Sequence, residues 1–79
     1  MKIAVRGFAN LADYLPPGRG GDGVVLDLPE ETTVGELVRS LAIPPNVPRL
    51  VLVNGDEAEP DRRLAPADTV SIIPPLAGG

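Results

Sequence analysis

The stretch best suited to chemistry is Ile72-Ile73-Pro74-Pro75-Leu76-Ala77-Gly78-Gly79. Two β-branched residues suit the end of a strand, and two prolines stop it, because proline brings no N–H to a sheet ladder. The pair favours stiff polyproline II geometry, so residues 74–79 can reach about 20 Å from the sheet edge at roughly 3.1–3.3 Å per residue. Leu76 offers one apolar handle. Ala77, Gly78 and Gly79 then narrow the chain enough to enter a channel closed to bulkier residues. The group left to react is the carboxylate of Gly79, and the rest of the chain is expected to present it.

Composition removes most competing chemistry. The 79 residues include no cysteine and no histidine, so there is no disulfide, no thiolate and no imidazole to act as base or metal ligand. A formal charge of −4 opposes binding to nucleic acid or to an anionic membrane. No apolar run approaches the ~18 residues of a membrane span, and Met1–Arg6 is too short for a signal peptide, so a soluble, cytoplasmic protein is expected. No metal is expected either. Asp56, Glu57, Glu59 and Asp61 lack the spacing and glycine hinge of a calcium loop and read as a solvated acidic face, with Arg49, Arg62 and Arg63 as counter-charges.

The elements that must hold the tail can be read in order. Ile3–Phe8 alternates as a first strand, and Asn10–Leu15 suits a helical turn closed by Pro16-Pro17. The glycine-rich stretch Gly18–Gly23 is a hairpin loop. It is no phosphate cradle, since no Lys-Ser or Lys-Thr follows. Val24–Leu28 is a second strand with Val24, Leu26 and Leu28 inward. Thr33 and Glu36 form a capping box for a helix from Val34 to about Ala42, with Glu30 and Glu31 near its positive end. Val34, Leu37, Val38 and Leu41 make its apolar stripe. Gly35 is a weak helix former, so packing must hold the segment. Arg49–Val53 is a third strand with Leu50 and Leu52 inward, Asn54-Gly55 a tight turn, and Glu57–Glu59 a short fourth strand. Leu64 anchors the following loop, and Thr69–Ile73 is the fifth strand, which delivers the tail.

One amphipathic helix covering a sheet of four or five strands is an α+β arrangement, and this element order resembles that of the β-grasp, or ubiquitin-like, roll. The expected division is a β-grasp domain over 1–73 and an extended tail over 74–79. On the sheet face away from the helix, alternation places Phe8 and Ile73, with Val51 beside them, as an apolar patch for docking partners.

Phe8-Ala9, Thr33-Val34 with Leu37, Val53-Asn54, Leu64, Asp68 and Val70, and above all Ile73-Pro74-Pro75-Leu76-Ala77-Gly78-Gly79 resemble the small sulfur-carrier subunit of molybdopterin synthase. The resemblance runs the whole chain, with its specificity in the Pro-Pro-x-x-Gly-Gly ending. The related thiamine-pathway carriers end in Gly-Gly but generally lack the two prolines. Where family members often present an apolar residue in the fourth strand, this chain has Glu57, which affects the extent of the patch.

The resemblance implies a co-substrate rather than an independent enzyme, with no cofactor of its own. An E1-like adenylating enzyme would use ATP to make a Gly79 acyl-adenylate, and a sulfur donor would convert it to a thiocarboxylate. The tail, Pro74 through Gly78, would then enter the large catalytic subunit of molybdopterin synthase. The lack of cysteine agrees with this, since sulfur cannot ride on the chain as a persulfide. The alternatives are a carrier for thiamine or another pathway, a protein modifier joined through Gly79 to lysine amines, and a binding module that works through its patch.

Overall fold

A computed structural model describes residues 1–15 and 23–75. Five strands form one mixed sheet: β1 (Lys2–Gly7), β2 (Val24–Asp27), β3 (Leu50–Val53), β4 (Asp56–Glu57) and β5 (Thr69–Ile73), in the order β2-β1-β5-β3-β4. The central pair, β1 and β5, is parallel, and the other neighbours are antiparallel. Helix α1 (Val34–Ser40) covers one face, giving the expected β-grasp roll. A 3-10 helix over Ala9–Tyr14 replaces the single helical turn expected at Asn10–Leu15.

The core follows the alternation in β1, β2 and β5. Ile3, Val5, Val70 and Ile72 are buried against Leu37, Val38 and Leu41, with Leu11, Ile43 and Leu64 closing the margins. β2 turns Val24 and Leu26 inward, opposite Val5 and Ile3, and leaves Val25 exposed.

β3 departs from the expectation. Val51 and Val53 lie opposite the buried Ile72 and Val70, so they form its helix-facing side, whereas Leu50 and Leu52 lie opposite Ile73 and Ser71 on the open face. All four residues of β3 are aliphatic, so alternation carries no information there, and pairing with β5 sets the register. A slip of one residue exchanges the two faces.

Helix α1 starts as the capping box requires. The Glu36 N–H donates to Thr33 Oγ1 at 3.2 Å, and the Thr33 N–H donates to Glu36 Oε1 at 2.9 Å. That backbone bond, then the Thr33 hydroxyl, holds the Glu36 carboxyl below its ordinary range. The helix closes at Ser40, earlier than Ala42, because Leu41 is its C-cap and Ala42 turns left-handed at φ 60°. Gly35 also gains a reason for its place. A Cβ there would lie 3.1 Å from the Pro60 carbonyl oxygen, which accepts the Gly35 N–H at 2.8 Å.

The fourth strand also lies earlier than the expected Glu57–Glu59, at Asp56–Glu57. Of the arginines read as counter-charges to the acidic face, Arg63 pairs instead with Glu31 at 3.2 Å, and Arg49 donates to backbone carbonyls. Both ends of that ion pair are mostly exposed, so it contributes little stability. Among the described residues no helix is long and apolar enough to cross a membrane.

Candidate functional site

The tail's base is the end of β5, a strand with a neighbour on each side. β5 pairs with β1 on one side and β3 on the other, and Val70 and Ile72 are fully buried. Its entry into the sheet is fastened by side chains. Asp68, itself buried, accepts from the Ala65 N–H at 2.8 Å and from the Asn54 amide Nδ2 at 2.9 Å. Asn54 Oδ1 accepts the Thr69 N–H at 2.9 Å, and the Asn54 N–H donates to the Thr69 carbonyl at 2.8 Å. The left-handed Asn54-Gly55 turn, φ 53° and 89°, is thereby tied to the start of β5. The Ala65 N–H first, then the Asn54 amide, hold the Asp68 carboxyl below the ordinary range.

The exit is different. β5 ends at Ile73, and Pro74 and Pro75 follow without regular structure, Pro74 half-buried and Pro75 exposed. Neither proline has an N–H to extend the ladder. Leu76, Ala77, Gly78 and Gly79 lie outside the described residues.

The open face near this exit is apolar. The Phe8 N–H donates to the Ile72 carbonyl at 3.0 Å, which sets Phe8 alongside the last turn of the tail-bearing strand. Phe8 is 43% exposed, and the Arg6 guanidinium stands 5.9 Å over its ring. Ile73 lies in the same face with half-buried Leu50 and Leu52. Val51 does not join Phe8 and Ile73 as expected; it packs against the core on the helix side. Leu50 and Leu52 take its place, and Glu57, paired with Leu52, ends the patch in charge.

The sequence carried no local signal for this. The two-residue Asn54-Gly55 loop sets Leu52 opposite Glu57 and Val53 opposite Asp56, so both faces of β3 meet an exposed carboxylate although Val53 is buried. The Asn54–Asp68 link had no local signal either, since the partners are 14 residues apart. Among the described residues no group of three acidic side chains is placed to hold a metal ion.

Residues 8–79 match the model of the ThiS family. The crystal structure of SAMP1 from Haloferax volcanii superposes over the whole of both chains with a TM-score of 0.74 at 26% identity. The solution structure of the Haloferax volcanii HVO 2177 protein covers all of this chain and 87% of that one, with a TM-score of 0.74 at 29% identity. A crystal structure titled small archaeal modifier protein 1, from the same organism, shares the fold at 22% identity and a TM-score of 0.72, over 95% of this chain and 98% of its own. No curated protein sequence matches the chain. The chain belongs to the ThiS family, ubiquitin-like β-grasp sulfur carriers.

Proposed function

We propose that this protein carries sulfur on Gly79 for the synthesis of molybdopterin, as a non-catalytic co-substrate. The observation that supports it most is the construction of β5. A strand held on both sides and fastened at its entry is followed by two prolines that cannot extend the ladder. An E1-like adenylating partner would join the Gly79 carboxylate to the α-phosphorus of ATP, releasing pyrophosphate. A sulfur donor would then displace AMP at the carbonyl carbon, leaving a thiocarboxylate. That sulfur is ionised and soft at neutral pH, so it is a nucleophile without help from the carrier. A larger catalytic partner would supply acid and base and pass the sulfur to a pterin precursor. Phe8, Ile73, Leu50 and Leu52 offer the partners an apolar face beside the end of β5.

The test is the intact mass of the protein recovered from cells, read with and without the adenylating enzyme. Replacement of one Gly79 oxygen by sulfur is expected, and a chain extended by one residue should support no cofactor synthesis. An extended chain that still restored cofactor synthesis would sink the proposal. A second reading, as a protein modifier, is favoured by the likeness to small archaeal modifier protein 1. It predicts isopeptide-linked conjugates of higher mass, with Gly79 bonded to lysine amines.

A further inference from the structure

Between α1 and the start of β3 lies an open cavity of about 650 Å³, within the size range of ligand sites, roughly 300–1,000 Å³. It exists because β4 is two residues long. The Ala58 N–H donates to the Val51 carbonyl at 3.0 Å, and the chain then leaves for the helix, where Pro60 meets Gly35. The flank of Arg49 and Leu50 is left with no strand beside it, and the groove opens there. Val34, Val38, Ile43 and Val47 give it an apolar floor.

The charges around that floor are sorted. Arg39 and Arg49 stand at the end where α1 finishes, and Glu57 and Glu59 stand at the end where Pro60 meets the helix start. Neither arginine belongs to an ion pair among the described residues. Arg49 is already held, with Nη1 donating to the carbonyls of Val47 at 3.0 Å and Pro44 at 3.3 Å. A guanidinium fixed in this way has lost its rotamer freedom in advance and keeps further N–H donors for a carboxylate.

We propose that this groove docks a segment of a partner protein in which an aliphatic side chain lies next to an acidic residue. The aliphatic side chain packs on Val38 and Val47, and the carboxylate meets Arg49, with Arg39 close by. Glu57 and Glu59 repel an acid at the other end and so fix the direction of the segment. The chain's net charge of −4 repels acidic partners in general, which makes a local site for one selective. Leu50 lines the groove and is paired with Ile73, so the groove borders the end of β5. The docking itself does not depend on the chemistry at Gly79.

The experiment is an amide chemical-shift titration of the ¹⁵N-labelled full chain with a short capped Gly-Ile-Asp-Ile-Gly peptide, against its lysine counterpart Gly-Ile-Lys-Ile-Gly. The acidic peptide should move Val38, Ile43, Val47 and Arg49, and Arg49→Glu should weaken it at least about tenfold. Arg39→Glu should weaken it in the same direction, and it serves as the readout if Arg49→Glu disturbs folding. Equal binding of the lysine peptide, no response at millimolar acidic peptide, or shifts confined to Phe8 and Ile73 would overturn the proposal. So would groove shifts that follow protein concentration alone, which give the site to a second copy. Leu76 methyl contacts to Val38 in the free chain would give it to the chain's own tail, and the proposal would fail.

Discussion

The two ends of β5 are built on opposite principles. Its entry at Thr69 is tied by five hydrogen bonds that bring together Asn54, Ala65, Asp68 and Thr69. Its exit at Ile73 meets two prolines that cannot extend the ladder. The difference teaches that position and termination are supplied separately. The clamp and the buried Val70 and Ile72 decide where β5 lies, and the prolines decide where its ladder stops. Damage at the entry should therefore read as stability, and damage at the exit as function.

Four substitutions would break or sharpen that contrast. Gly78→Val should have the largest effect, lowering thiocarboxylate formation by more than about a hundredfold through sterics in a narrow channel, with an unchanged melting temperature. A matching loss of thermal stability would place residue 78 in the fold and erase the contrast. Next, Ile72→Ala should cost about 2–4 kcal/mol in chemical denaturation, from a fully buried site. At the entry, Asp68→Ala should cost about 1–3 kcal/mol, because it strands the Ala65 N–H and the Asn54 amide. The smallest is Thr33→Ala, which removes the helix cap at about 1 kcal/mol.

Asp68 also carries a pH signature. Its native pKa is depressed by the Ala65 N–H and the Asn54 amide, so the folded state binds the proton more weakly than the unfolded one. The stability from this group is present above its unfolded pKa, about 3.9, and is lost as pH falls through the lower native value. Denaturation midpoints compared above and below that range should show the acid loss in the native chain and a smaller one in Asp68→Asn.

Part of the frame around the site is legible in the sequence. Pro74 and Pro75 end β5 because their chemistry allows nothing else, and Phe8 and Ile73 fall on the open face by alternation within strands that contain polar residues. Leu50, Val51 and Leu52 lie on the faces opposite to those the sequence predicts, because four consecutive aliphatic side chains have no polar member to mark the wet side. The clamp was not readable at all. Asn54 announces a turn and Asp68 a loop, but nothing local says that one donates to the other.

Sequence alone therefore determined the elements whose cause is local: the Thr33–Glu36 box, the Asn54-Gly55 turn and the proline stop after Ile73. Tertiary structure alone decided the face of β3, the pairing of Asn54 with Asp68, the escape of Arg49 and Arg63 from the acidic face, and the groove beside α1. The physical reason is shared. Each of these depends on register or distance between segments far apart in the chain, and a side chain's own identity does not encode which neighbour the fold will bring to it.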